Sequence, residues 1–386
     1  MMGFGGVRAQ DAPPPLVIGV LTDQSGIGRS ISGPPLVQAV RMAAQDTGPL
    51  PDGRLVSVIT DSFERKPDDA LAIARRWFDE GVSAIVDVPG SAAALAVQAL
   101  ARSRRRSSLI TGSVNPELTG AACSRSGSSW NVDITSVAAA LVHAVAHAGT
   151  TSWFLVVPDS VLGLAMEAEA VRAIDDSGGQ LLGRSRHPAA ATDFGSTVTQ
   201  AKASGAGAIG LCDIAPGLAH QLAQFRDGGL FGQNREVVAF LPAITDIHAA
   251  GANVAEGLLL ANSFYWDQND QARSFADRFI TVSDQMPDAA HAAAYVAVRH
   301  YLRAVVVTGS LDSDLINQEM RRAPVYFFGR SARLRLDGRL AADLSLLRVK
   351  APETMHAPWD HYQQIGIIPV SEVYRPLNRT GCALGT

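Results

Sequence analysis

The stretch IVDVPGSAAALAVQAL, residues 85–100, opens on β-branched apolar residues, breaks at Pro89-Gly90-Ser91 and continues as an alanine-rich run of high helix propensity. A strand that passes into a helix through so short a turn leaves the first helical N–H groups free at its C-terminal end. Ser91 can cap that helix, or the turn can floor a site for a polar or anionic group.

The same strand-then-helix alternation runs through most of the chain. Strands are predicted at 16–22, 54–60, 83–88 and 107–111, with helices at 34–47, 67–80 and 91–105 between them. After Asp133 a second series begins, with strands at 151–157, 180–186, 207–212 and 236–241 and helices at 136–148, 161–177, 194–204 and 217–228. Alternation of this kind predicts an α/β fold of parallel sheets with crossover helices, here two Rossmann-like three-layer lobes. Beyond GLLLANSFYW (257–266) lie helical segments at 269–283, 288–309 and 312–322, then a tail with strand signals at SARLRL and DLSLLRV around an Asp337-Gly338 turn. The tail is too short for a domain, so it must complete the sheets or faces of the others. A chain that leaves one lobe, builds a second and returns crosses between them more than once, which permits hinge motion around a cleft.

With 386 residues there is room for two cores. Apolar residues make up 47% and charged ones 18%, which places the chain among ordered globular proteins. A net charge of −4 carries no nucleic-acid signature, and the cluster Arg102, Arg104, Arg105 and Arg106 falls at a helix C-terminus, where cations complement the dipole. No apolar run reaches the roughly 18 residues that span a bilayer. Residues 1–14 read as a disordered remnant, with Val7-Arg8-Ala9-Gln10 as what is left of a cleavage region. Of three cysteines, Cys212 ends an apolar run and reads as buried. Cys123 lies in a loop and Cys382 in the last five residues, so a bridge between them is one reading and unrelated thiols the other.

Motifs for chemistry fail on spacing. Gly26 and Gly28 begin a dinucleotide fingerprint, but Ile31 stands at the third glycine, and no Gly-Lys-Ser/Thr loop exists. His143 and His147 share a helix face without a third metal ligand, and Lys202 replaces the first glycine of a nucleophile elbow at Ser204. Asp159 and Asp193 could form a carboxylate pair, and an enzyme using them or the histidines in the cleft is an alternative. No metal or cofactor is predicted. What remains is a set of polar and aromatic residues at strand C-terminal ends: Gln24, Ser25, Ser91, Thr111 to Ser113, Asp159, Ser160, Asp213, Thr245, Asp246, Tyr265 and Trp266. Ligands of open α/β sheets bind outside such ends, and two facing lobes make a cleft lined by both sets.

TDQSGIG after the first strand, AAQD ending a helix, VDVPGSAAALAVQ, ITGSVNPELTG and AEGLLLANSFYWD occur in an order and spacing that resembles the type I periplasmic solute-binding proteins, in particular the leucine/isoleucine/valine-binding group. The resemblance covers nearly all of 15–380. It implies a non-enzymatic, monomeric, exported receptor that closes two lobes over a small solute and delivers it to the permease and ATPase of an ABC importer. A sensor subunit for a membrane signalling protein is the alternative. On the family pattern lobe 1 comprises 15–133 plus 267–336 and lobe 2 comprises 134–266 plus 337–386, joined by three crossings. An exported location also favours the Cys123–Cys382 bridge.

In the amino-acid binders of this group a hydroxyl and N–H groups at the turn starting the third helix hold the solute carboxylate, together with the loop after the fourth strand. Ser91 matches the first, as both cap and anion cradle, and Gly112 and Ser113 match the second. The expected threonine beyond is Val114, the expected aromatics are Ile31 and Ile214, and the acid that receives the α-ammonium is Ala243, with Asp246 out of register. Ser160, Leu162 and Thr245 complete the predicted lobe-2 contacts, and Gln24 and Ser25 those of lobe 1. An ammonium left unpaired in a closed cleft costs several kcal/mol, so a carboxylate, aromatic acid or amide is favoured over a standard amino acid.

Overall fold

Side-chain alternation along the strands decides which helices cover each face of two separate sheets. The computed structural model describes residues 13–384 other than 27, 65, 215, 216 and 233. The predicted N-terminal remnant lies outside the described residues as far as residue 12.

The first lobe is built from β1 (Leu16–Thr22), α1 (Pro34–Thr47), β2 (Val56–Ser62), α2 (Pro67–Asp79), β3 (Ala84–Asp87), α3 (Ser91–Ser103), β4 (Ser107–Ile110) and β5 (Gly127–Ser129). Its sheet runs β2-β1-β3-β4-β5, parallel throughout. On β1, Leu16, Ile18 and Val20 enter the core shared with α1, whereas Leu21 enters the one shared with α2 and α3. That is the period of two a strand requires. Gly19 belongs with Leu21's face, where an added Cβ would stand 2.5 Å from the Trp77 ring; the missing side chain is what lets α2 seat a tryptophan on β1.

The second lobe follows with α4 (Ile134–His147), β6 (Ser152–Asp159), α5 (Val161–Asp176), β7 (Gln180–Pro188), α6 (Gly195–Ala203), β8 (Ala208–Leu211), α7 (Gly217–Asp227), β9 (Glu236–Ala239), α8 (Ile244–Ala250), α9 (Ala252–Ala255) and β10 (Leu259–Asn262). Trp153, Leu155 and Val157 of β6 pack toward α4 and α5, while Phe154 and Val156 pack on the opposite face with α6 and α7. The chain then returns to the first lobe with α10 (Asp270–Ser283), α11 (Ala289–Thr308) and α12 (Ser313–Arg322), and α11 lies along α1 in the same core.

The tail departs from expectation. Residues Arg330–Leu334 (β12) pair with Pro324–Phe327 (β11) and with Leu340–Ala341 (β13) in a small antiparallel sheet of their own. Leu344–Val349 (β14) and Tyr362–Ile368 (β15) extend the second sheet antiparallel, giving the order β15-β14-β10-β9-β8-β6-β7. Val370–Val373 forms the last helix, α13, against α4. The second sheet is therefore mixed rather than wholly parallel.

Two fixtures secure the crossings. Arg339 is buried and pairs with Asp133 Oδ2 at 2.5 Å, while donating to Thr119 Oγ1 (2.9 Å), Ser129 Oγ (3.2 Å) and the Asn131 carbonyl (2.7 Å). Asp133 uses its other oxygen to cap α4, accepting from Ser136 N at 2.7 Å. One guanidinium thus joins the outgoing crossing near 131–133 to the returning crossing near 339. The second fixture is covalent: Cys123 is bonded to Cys382, with Cα atoms 5.6 Å apart, and Cys212 is a buried free thiol.

Truncating Arg339 to methionine leaves Asp133 buried without its cation, and we expect a loss of about 3–5 kcal/mol in urea unfolding; a change under about 1 kcal/mol would show the pair to be dispensable. Removing the bridge with Cys123→Ala and Cys382→Ala should lower stability by at most about 5 kcal/mol, the chain-entropy bound for so long a loop. An unaltered urea midpoint in the double variant would contradict that.

Candidate functional site: the cleft between the lobes

The C-terminal ends of β1, β3 and β4 are neighbours in the first sheet, and those of β6, β8 and β9 are neighbours in the second. The predicted contacts fall on these six ends. The two sets meet where α8 begins: Thr245 Oγ1 lies 3.4 Å from Ser30 Oγ, and Ile244 N donates to Asp288 Oδ2 at 3.1 Å. Asp288 Oδ1 also accepts from Ala290 N at 3.2 Å as the N-cap of α11. A single buried carboxylate from one lobe therefore serves a helix N-terminus in each. Burial raises its pKa, and the backbone N–H groups of Ile244, Ala290 and Ala289 oppose the rise.

Ser91 does not cap α3. Gly90 is the cap, at φ 90°, and Ser91 is the first helical residue, exposed. The reason is steric: the chain turns through positive φ at Asp87 (81°), Val88 (56°) and Gly90 before entering the helix. A side-chain cap needs an extended residue at that position. Ser91 is consequently an exposed first-turn residue beside the N–H groups that open α3. Ser113 is buried and its hydroxyl accepts from Asn115 N at 3.4 Å, and Gly112 N donates to Asp87 O at 3.1 Å. A Cβ on Gly112 would run into the Asp87 carboxyl, so glycine is required there. Gln24 turns toward β2, with its N–H on Ser62 Oγ (3.2 Å) and its amide on Thr60 Oγ1 (3.0 Å); Ser25 is exposed. Ile31 packs on the core beside Ser30.

On the second lobe Ser160 caps α5, accepting from Gly163 N at 3.0 Å, and Leu162 packs on the α4–α5 core. Ile214 is half-buried directly after Asp213. Ala243 is buried at the start of α8, and Asp246 Oδ2 accepts from Ala243 N at 3.0 Å. The two carboxylates nearest Ala243 in these contacts, Asp246 and Asp288, are both turned onto backbone N–H groups.

The sequence reading gave no role to the acid inside its own opening stretch. Asp87 is fully buried at the end of β3; Oδ1 accepts from Thr111 Oγ1 (3.2 Å) and Ser32 Oγ (3.4 Å), and Thr22 adds a further side-chain hydrogen bond. Burial drives its pKa up, the three hydroxyls oppose this and Asp23 adds repulsion, leaving it at about 7. Its partners come from the ends of β1 and β4 and the start of α1, so it holds together the loops that frame the first-lobe half-site. A charged residue in an otherwise apolar strand, just ahead of Pro-Gly, was the available signal. His187 was also missed. Its Nε2 lies 2.9 Å from Asp213 Oδ2 and its Nδ1 2.9 Å from the Pro188 carbonyl, with Gln221 bonded to the same carboxylate. Burial lowers the His187 pKa, but Asp213 and the carbonyl outweigh it and the net shift is upward. No local pattern links positions 187, 213 and 221.

Two α/β lobes meeting at their strand ends, with free helix N–H groups on one side and a cross-lobe contact at the other, define a cleft receptor of the two-lobed binding-protein class. The chain belongs to the periplasmic binding protein family, whose model matches residues 15–354. Its structure is similar to a branched chain amino acid ABC transporter periplasmic ligand-binding protein from Burkholderia xenovorans, with 34% identity, a TM-score of 0.90, and 96% of this chain and 100% of that one covered. It is similar as well to a periplasmic binding protein from Burkholderia mallei, at 30% identity and TM-score 0.87, with 96% and 99% covered. A Rhodopseudomonas palustris solute-binding protein in complex with benzoate shares the fold at 16% identity and TM-score 0.80, with 96% and 100% covered. No curated protein matches the chain.

Asp87 supplies a pH signature. An acid whose folded pKa exceeds its ordinary value near 3.9 stabilises the fold below that value, and the contribution is lost as pH rises through about 7. Asp87→Asn should therefore gain on the wild type by roughly 2–3 kcal/mol between pH 5 and pH 8 in urea unfolding. A difference that stays flat across that range would show Asp87 to be ionised throughout.

Proposed function

We propose that this chain is an extracytoplasmic receptor of an ABC importer whose cleft takes a small carboxylate or amide with an apolar body rather than a zwitterionic amino acid. The observation that carries this is at α8: Ala243 offers no carboxylate, and Asp246 and Asp288 are committed to the N–H groups of Ala243 and Ile244. An α-ammonium placed there would stay unpaired in a closed cleft. Opposite it, Ser91 and the N–H groups opening α3 favour an anion or a carbonyl oxygen.

In this reading 15–133 with 267–336 and 134–266 with 337–386 are the two moving bodies. Closure is driven by a ligand that touches both, since only contacts present in the closed state shift the equilibrium. Ser91, Gly112 and Ser113 frame its polar end, with Gln24 and Ser25 at the rim. Ile31, Leu162 and Ile214 supply apolar surface, and Ser160 and Thr245 polar edges. The receptor acts as a periplasmic monomer and hands its solute to a permease and its ATPase.

The test is a thermal-shift titration with isobutyrate, isobutyramide, benzoate and leucine. A ligand at a hundred times its Kd stabilises by about 2.7 kcal/mol. We expect the acid or the amide to give the larger shift; tighter binding of leucine would sink the reading of Ala243. Ser91→Ala should weaken the bound acid by about 1.5–3 kcal/mol, and an unchanged affinity would remove Ser91 from the site.

A further inference from the structure

The first lobe carries a cavity of about 540 Å³ between the end of α1, the faces of α10 and α11, and the outer strand β11. It lies away from the cleft: Asp46, at its wall, is twelve residues into α1, about 18 Å along the axis from the cleft end. The volume suits a ligand of one or two rings.

Its lining is unbalanced in charge. Arg278, Arg299 and Arg303 converge on it with Asp46 as the single carboxylate. Arg278 takes that carboxylate in a two-pronged pair at 2.7 and 3.0 Å, and Tyr295 OH donates to it at 2.5 Å. Arg299 lies 3.5 Å from Asp46 Oδ2 and donates at 3.1 Å to the Tyr295 hydroxyl, and Arg303 donates to the Pro324 carbonyl at 3.4 Å with no carboxylate partner among the described residues. These two arginines stand four residues apart on α11 and so share one face, where like charges repel unless an anion lies between them. His300, between them, is turned to the Met320 carbonyl at 2.8 Å, and burial lowers its pKa. The remaining wall is aromatic: Phe275 and Phe328 lie tilted at 5.0 Å, Tyr295 is tilted against Phe275 at 4.8 Å and stacks on Phe328 at 6.1 Å, and Tyr326 is 77% exposed at the mouth.

We propose that this cavity is a second binding site, for an aromatic organic anion whose acid group bridges Arg299 and Arg303 and whose ring lies on the Phe275–Tyr295–Phe328 wall. Guanidinium forks match a carboxylate or sulfonate, and ring faces recognise the flat body. The site is independent of what the cleft binds.

The probe is 2-naphthoate, with 2-naphthamide as its uncharged counterpart, measured by titration calorimetry on the full chain. We expect saturable binding of the acid, at least about tenfold weaker binding of the amide, and at least about a tenfold loss of acid binding in Arg299→Gln with Arg303→Gln. Both side chains are at the surface and Asp46 keeps Arg278, so the double variant should melt with the wild type; if it does not, Arg303→Gln alone is expected to lose affinity by a factor of about three or more. Equal affinity for acid and amide, no saturable binding, or undiminished binding in a folded variant would each overturn the proposal, the last by placing the probe elsewhere.

Discussion

The buried guanidinium of Arg339 is the constraint on which the two-lobed arrangement rests. It gathers Thr119 and Ser129 of the first lobe, Asn131 on the way out and Asp133 at the threshold of the second, and it does so from the end of the turn that precedes β13. A charge so deeply placed is stable only with its acceptors in position, so the connection between lobes is specified by geometry rather than by apolar area. An apolar contact would tolerate sliding, whereas this one holds its segments at fixed distances.

The lobes also meet through Asp288, and the two contacts differ in kind. Arg339 joins segments adjacent in the chain path between the lobes, whereas Asp288 joins the start of α11 to the start of α8. The second contact is made of helix-terminal electrostatics, one carboxylate set on the first N–H groups of two helices.

Much of the architecture was legible because period-two and helical patterns are local. β1 is placed to the residue, and α1 likewise, while α5, α7, α10 and α11 fall within a residue or so of expectation. β5 (Gly127–Ser129) escaped because three small residues carry no apolar signal, and β15 because an edge strand with an exposed face reads as a loop. The tail strands were seen but their partners were not, since pairing is non-local. At the strand ends, positions were readable from chain order. Asp87 and the His187–Asp213–Gln221 cluster were not, because their meaning lies in what the fold brings to them: three hydroxyls from separate elements in one case, a strand, a loop and a helix in the other.

The bridge between Cys123 and Cys382 gains a different meaning from its location. Gly120 packs against the Thr380 carbonyl, and Thr119 is a ligand of Arg339, so the sulfurs lie in the chain beside the Arg339 cluster. The chain therefore acquires a covalent link between the end of its first lobe and its tail, beside the ion pair that already joins them. Pulling or heating must break that link or unfold around it, so the last residues of the chain are held as firmly as its core.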